Sequence, residues 1–359
     1  MTSFSEPNTP ETHPDIHRRT MLKGSLAVAA ATLAGMSLTS AYTLWAAETG
    51  STVSDKDREA LIQWLIEKTK LDAKWIRDLI THAQYDATII ERITRPYESR
   101  SYAEYRPLFV HDKLATLGAD YMQTHTEVFK RAFDAYGLQK EVITAILGME
   151  SHFGQHHGKD RVVDSLFTLS TGYPRRAEFF RNELAELLML CDEEGLEAKD
   201  FKGSYAGAFG TTQFIPSSYR AYAVDADKDG KRDVWNSPDD IIHSVAHYFQ
   251  RHGWDHTRPV AHWLPLIPAL KAQAELGLKD WQSLASLRQH SKTLRNTALP
   301  MWKDDDKVTI INMKTDKGDQ MALVHYNFYV ITRWNRSYNY AMAVNELAEK
   351  MGCAQCKTS

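Results

Sequence analysis

The stretch Ala145-Ile146-Leu147-Gly148-Met149-Glu150-Ser151-His152-Phe153-Gly154 puts a carboxylate where the apolar face of a helix should continue. Val142, Ile143, Ile146 and Leu147 recur at helical spacing and mark a core-facing stripe. Glu150 lies three and four residues beyond Leu147 and Ile146, so it extends that stripe, and Gly154 is a helix-stop signal. An anion on an apolar face is disfavoured, so this carboxyl is expected to hold its proton more tightly than a solvated glutamate. A protonated carboxyl near neutral pH is what a general acid needs. The competing reading is a buried glutamate paired with an arginine.

About sixty residues further on comes Gly203-Ser204-Tyr205-Ala206-Gly207-Ala208-Phe209-Gly210-Thr211-Thr212-Gln213-Phe214-Ile215-Pro216-Ser217-Ser218-Tyr219. Its three glycines let the backbone take up positive φ or approach a ligand closely. No Gly-Lys-Ser/Thr follows, so it is not a phosphate loop. Ser204 and Gln213 offer neutral donors and acceptors beside aromatic rings, a combination suited to uncharged sugars.

Taken in order, Gly148-Met149-Glu150 with Phe153-Gly154, Leu169-Ser170, Tyr173-Pro174-Arg175-Arg176-Ala177-Glu178-Phe179-Phe180, the two halves of the glycine-rich segment, the acidic loop at Asp225 and Asn335-Arg336-Ser337-Tyr338 resemble the lytic murein transglycosylase B family. The resemblance covers residues 64–351 and departs at Trp334, where the family more often carries tyrosine in the wall of its sugar groove. It implies a lysozyme-like helical core, a mainly α (α+β) fold, with a further helical region and a small inserted β or mixed subdomain. It also implies action on peptidoglycan of the bacterial envelope.

An ordinary glycosidase needs two carboxylates across the scissile bond. The sugar-binding segments supply Ser204, Tyr205, Gln213, Asn335 and Tyr338 but no obvious second acid. The family manages with one. By resemblance, Glu150 would protonate the oxygen between N-acetylmuramic acid and N-acetylglucosamine, then take the proton from the muramoyl C6 hydroxyl as that oxygen closes on C1. The product is a 1,6-anhydromuramoyl end, and no cofactor is called for. Ser204, Gln213 and Asn335 would orient the sugar, with Tyr205 and Tyr338 lining the groove. Asp164 is the nearest candidate for a second carboxylate, although its place in the sequence suits a helix start better. Ser151 and His152 are sequence neighbours and point apart on a helix, so they make no nucleophile–base pair. Rival readings are a hydrolase that activates water at the same bond and a non-catalytic peptidoglycan-binding module.

Residues 1–47 are expected to be an export signal and not part of the fold. His17-Arg18-Arg19-Thr20-Met21-Leu22-Lys23 resembles a twin-arginine motif, and an alanine-rich apolar run follows over residues 26–47. The run suits a cleavable segment, and its length also allows an uncleaved inner-membrane anchor. The expected location is the periplasm. Removing these residues takes away three acids and three bases, so the formal charge stays at −3. That balance gives neither a nucleic-acid footprint nor a membrane-binding stripe. The expected partners are glycan strands and other cell-wall enzymes, met by a monomer. The remaining chain is long enough for a large core. Nine tryptophans and sixteen tyrosines suggest stacking surfaces for sugars as well as core. Of the three cysteines, Cys353 and Cys356 form a lone C-x-x-C, which is no zinc site and allows at most a small disulfide.

Helical periods run through residues 57–70, 83–93 and 114–136, Asp72 reads as an N-cap, and Pro174 opens a long helix that Gly195 closes. Ser237-Pro238-Asp239-Asp240 is a helix start with a cap, a first-turn proline and acids facing the dipole, and Ser337 reads as the cap of the last helix. Between residues 254 and 325 prolines, a short helix and β-prone Val308-Thr309-Ile310-Ile311 alternate. The division expected is a catalytic region over 48–359, with the lysozyme-like core at about 110–254 and 326–352 and the small subdomain at about 255–325.

Asp225-Ala226-Asp227-Lys228-Asp229-Gly230-Lys231-Arg232-Asp233-Val234-Trp235-Asn236 fits a calcium loop. Asp225, Asp227, Asp229 and Asp233 fall at positions one, three, five and nine, Gly230 at six, and Lys231 would give its carbonyl at seven. Asn236 replaces the usual glutamate at twelve. Four carboxylates so close repel one another without a cation, so a structural Ca2+ or Na+ is expected here.

Overall fold

The computed structural model describes residues 53–94 and 100–358, the side chains of 354–358 excepted. The export signal at 1–47 and the Cys353–Cys356 pairing therefore lie outside the described residues. The chain is mainly α-helical. It opens with α1 (Asp55–Thr69), capped by Ser54 and facing inward through Leu61, Ile62 and Leu65. There follow α2 (Ala73–Thr81), capped by Asp72 through the Trp75 N–H, and α3 (Ala87–Thr94). Next come α4 (Asp112–Thr124), α5 (Thr126–Tyr136), α6 (Lys140–Ser151), α7 (Val162–Gly172) and α8 (Ala177–Glu194). The set ends with α9 (Pro216–Tyr222), α10 (Pro238–Arg251), α11 (Tyr326–Trp334) and α12 (Tyr338–Thr358).

The single helical period read over residues 114–136 is divided at His125, where α4 ends and α5 begins. The helix expected from Ala83 begins only at Ala87, because α7 captures the preceding amides. The Gln84 N–H donates to Asp164 Oδ1 (2.9 Å) and the Asp86 N–H to Thr168 Oγ1 (3.0 Å). Pro174–Arg176 forms a 3-10 turn ahead of α8, and Gly195 closes α8 at φ 64°.

Helix α6 is the axis of the core. Every residue from Val142 to Met149 is buried, and α4, α10 and α12 pack around it. Burying Ile146 and Leu147 alone contributes about 2 kcal/mol each. At Gly118 on α4 a Cβ would stand 2.3 Å from Met351 Cε of α12, so a side chain there would require the Met351 thioether to move aside.

Strands β1 (Asp160–Arg161) and β2 (Lys202–Gly203) form a short antiparallel pair at the entrance to the glycine-rich loop. Strands β3 (Ala261–Leu264), β4 (Gln282–Ser283), β5 (Lys307–Thr315) and β6 (Gly318–His325) make an antiparallel sheet ordered β3-β6-β5-β4. Thr315 pairs with Gly318, leaving Asp316-Lys317 as the hairpin turn. Val308, Ile310, Met321 and Leu323 face a separate small core with Leu264, Leu270, Leu284 and Leu294. Ile311, Met313, Ala322 and Val324 join the main helical core. With both faces covered, Val308 to Ile311 of β5 are all buried, without the alternation of a one-faced strand.

Cys191 sits inside α8, 1 % exposed, and burial pushes its thiol up to about 12. It should resist alkylation at pH 8 until the chain unfolds. Peptide mapping after iodoacetamide treatment with and without urea checks this, and native-state labelling of Cys191 would contradict the burial.

Candidate active site

Glu150 stands in the last turn of α6, where the buried helix reaches the surface. Ile146 and Leu147 are fully buried and Glu150 is half-buried, so the stripe ends in a carboxylate at the mouth of the core. Its Oε1 accepts two hydrogen bonds, from the Trp334 Nε1–H (2.9 Å) and the Tyr340 hydroxyl (2.7 Å). Trp334 ends α11 and Tyr340 lies in the first turn of α12, so the Asn335–Ser337 connection sets both donors. The Trp334 ring is wedged between Phe214 (5.1 Å), Tyr248 (4.8 Å, edge-on) and Phe249 (5.7 Å).

The helix end is strained and well tied. His152, Phe153 and Gly154 have φ of 49°, 59° and 85°, a left-handed run in which each non-glycine residue costs on the order of 1 kcal/mol. Ser151 offsets part of this. Its buried hydroxyl donates to the Thr211 carbonyl (2.8 Å) and accepts from the Gly154 N–H (3.0 Å). The glycine-rich loop is thereby joined to the residue next to Glu150. Phe153 stacks on Tyr121, ring centroids 5.0 Å apart.

The loop folds on Ser204. Its Oγ accepts from the Ala206 (3.3 Å) and Ala208 (3.1 Å) amides, which leaves the hydroxyl hydrogen to offer a ligand. Gly207 and Gly210 take φ of 83° and 69°, as the glycine spacing predicts. Gly203 meets the other need, close approach: a Cβ there would lie 2.2 Å from the Ala208 oxygen. Gln213, at φ 49°, turns its amide nitrogen inward to the carbonyls of Gly210 (2.9 Å) and His157 (3.4 Å), leaving Oε1 as its acceptor. The next residue, Phe214, touches Trp334, so the chain of contact from Gln213 to Glu150 is short.

The other residues singled out from sequence are placed less uniformly. Tyr205 has the Arg92 guanidinium over its ring at 5.1 Å, and Arg92 is itself paired bidentately with Asp160. Asn335 follows α11, its carbonyl accepting from the Ser337 N–H (2.8 Å). The Tyr338 hydroxyl accepts from the Leu278 N–H (3.3 Å), which ties α12 to the turn ahead of β4. Asp164 bonds the Gln84 N–H and pairs with Arg161 (3.2 Å), the helix-start role, and burial pushes its carboxyl above the ordinary range. Tyr340, Ser151 and Thr211 were not singled out from sequence for this site. Tyr340 lies two positions past the Asn335–Tyr338 motif, but nothing local links it to Glu150.

In the acidic loop, ligand oxygens of Asp225, Asp227 and Asp229 lie within 4.8 Å of one another, a fit to a hard cation. Lys228 and Gly230, at φ 64° and 91°, curl the backbone around them. Asp233 stands outside that trio, its Oδ1 accepting from the Trp235 and Asn236 amides (both 2.9 Å). Asp240, fully buried in α10, holds the Ala226 and Asp233 N–H groups at 2.7 Å each and so clamps both arms of the loop. Burial raises its carboxyl to about 6 against those bonds.

The family described as transglycosylase SLT domain matches residues 54–349, and a twin-arginine translocation pathway signal sequence matches residues 15–35. The chain is 30% identical over 320 residues to membrane-bound lytic murein transglycosylase B of Escherichia coli (strain K12), covering 85% of each chain. Among solved structures it is similar to the soluble lytic transglycosylase SltB1 from Pseudomonas aeruginosa, with 38% identity and a TM-score of 0.74 over 84% of this chain and 99% of that one. It is likewise similar to the Escherichia coli lytic transglycosylase Slt35 in complex with calcium, with 32% identity and a TM-score of 0.74 over 83% of this chain and 93% of that one.

Proposed function

The chain belongs to the transglycosylase SLT domain family and is a lytic murein transglycosylase, and we propose that it cleaves peptidoglycan glycan strands with Glu150 as both acid and base. The observation that carries this is the composition of the candidate site among the described residues: beside Glu150, the residues proposed to hold the sugar, Ser204, Tyr205, Gln213, Asn335 and Tyr338, are all neutral. None of the described residues proposed for the site offers a second carboxylate for a double displacement. Asp164, the alternative weighed from sequence, is engaged with Gln84 and Arg161.

The proposed steps conserve every atom. Glu150 gives its proton to the glycosidic oxygen between N-acetylmuramic acid and N-acetylglucosamine as the bond to C1 breaks. The carboxylate so formed takes the proton of the muramoyl C6 hydroxyl while that oxygen bonds to C1. Glu150 ends protonated, and the strand ends in 1,6-anhydromuramic acid. Ser204 through its hydroxyl hydrogen, Gln213 through Oε1 and Asn335 would hold the sugar, with Tyr205 and Tyr338 at the groove's edges. Purified sacculi treated with the mature chain should release anhydromuropeptides by mass spectrometry. Products with reducing muramic acid would make it a hydrolase, and binding without products a scaffold.

The lysozyme-like core is proposed at about 110–254 and 326–352 and the small subdomain at 255–325, a division the separate core of the four-stranded sheet supports. The twin-arginine match supports export to the periplasm, where the glycan strands lie. Other cell-wall enzymes are proposed as partners of a monomeric chain.

The acidic loop is proposed to hold a structural Ca2+ or Na+ through Asp225, Asp227, Asp229, Asp233 and the Lys231 carbonyl, with Asp233 also bracing the loop through its hydrogen bonds. The cation would relieve repulsion among these carboxylates and stiffen the segment between the Gln213 loop and α10. Adding millimolar Ca2+ to chelator-treated protein should therefore raise the melting temperature, by the equivalent of about 1–3 kcal/mol for a site in the extracellular or sensor range. Asp227→Asn should cancel most of that gain. An unchanged melting curve would refute the metal.

A further inference from the structure

We infer that Trp334 is a positioning residue that fixes which oxygen of Glu150 carries the proton. The inference rests on the acid/base role proposed for Glu150. An indole N–H can only donate, whereas a tyrosine hydroxyl donates or accepts. With Trp334 Nε1–H aimed at Oε1 from 2.9 Å, a proton on that oxygen would leave it the weaker acceptor for the indole and the Tyr340 hydroxyl, whereas a carbonyl oxygen accepts both. The Tyr340 hydroxyl, 2.7 Å from the same oxygen, then has an acceptor and donates to it. Oε1 is thus the carbonyl oxygen of the protonated acid, and the transferable proton sits on Oε2.

The indole cannot easily swing away to undo this arrangement. Its ring is held by Phe214, Tyr248 and Phe249, and Phe214 follows Gln213 directly. The same ring that orients the acid therefore abuts the loop proposed to hold the sugar. A shift of that loop would reach Glu150 through Trp334, coupling sugar contact to acid orientation. A tyrosine hydroxyl in this position could donate or accept, so the N–H of the indole restricts the acid's tautomer in a way a hydroxyl does not.

The test is the pH profile of kcat/KM on a soluble glycan oligomer for wild type, Trp334→Phe, Trp334→Tyr and Glu150→Gln. The free enzyme must be protonated at Glu150, so kcat/KM falls as pH rises through that titration. Phenylalanine keeps an aromatic ring but removes a donor that favours the carboxylate. Its alkaline limb should move up by about one pH unit, a tenfold change in acidity. Tyrosine, which can donate, should move the limb back towards wild type. A limb unmoved in Trp334→Phe, with activity lower at every pH, would overturn the inference and leave the indole a packing residue. Should Trp334→Phe not fold, Tyr340→Phe removes the other donor to the same oxygen and must shift the limb in the same direction. Full activity in Glu150→Gln would instead sink the acid/base role, and the inference with it.

Discussion

Glu150→Gln is expected to cut release of soluble muropeptides at least about a thousandfold while the protein melts within about 2 °C of wild type. General acid–base catalysis contributes about a hundred- to ten-thousandfold. In the proposed mechanism one group serves both half-reactions, so the loss should lie towards the upper end. Glutamine is nearly isosteric, and its Oε1 still accepts from Trp334 and Tyr340, so the buried donors keep their partner and the fold loses little. What it lacks is an acidic proton, because its other arm is an amide NH2 that does not give one up. Turnover by chromatography, read beside a thermal melt, checks both halves. Activity above about one per cent of wild type would mean another group supplies the proton.

Gly158→Ala should be the most damaging single-methyl change near the site. Gly158 has φ 85°, and a Cβ there would stand 2.1 Å from the Gly203 oxygen and 2.5 Å from the Ser204 nitrogen. Both neighbours are backbone, so relief requires the start of the glycine-rich loop to move. A left-handed alanine costs about 1 kcal/mol and overpacking about 1–3 more, giving roughly 2–4 kcal/mol in all. Because Ser204 moves with the clash, sugar binding should weaken as well. Gly195→Ala is the matched control: φ is 64° but nothing lies within 4 Å of the added carbon, so only about 1 kcal/mol should be lost. Urea midpoints with unchanged m-values measure the two. Equal losses would show that backbone conformation alone, and not the contact with Gly203, sets the cost.

Legibility in the sequence followed the range of the interaction. The α6 stripe, the caps at Asp72, Ser237 and Ser337 and the positive-φ glycines of the loop are local and could be read directly. The delayed start of α3 could not, because the competitors for its amides, Asp164 and Thr168, lie some eighty residues away. The two donors to Glu150 stand 184 and 190 positions downstream, at a distance where periodicity carries no information. Trp334 was visible only as a departure from its family, and Tyr340 was not visible as a partner at all. Tyr338 was expected in the groove and Asp233 among the metal ligands. Neither the bond from the Leu278 N–H to the Tyr338 hydroxyl nor those from the Trp235 and Asn236 amides to Asp233 could be read from these expectations.

The central claim is that the bond is broken without water, and digestion of sacculi in water enriched in heavy oxygen tests it most directly. A single carboxylate that returns the C6 hydroxyl proton to itself predicts 1,6-anhydromuramoyl ends with no heavy oxygen in them. Reducing muramic acid ends carrying the label at C1 would contradict it, and would show that water, and not the C6 hydroxyl, attacks the sugar.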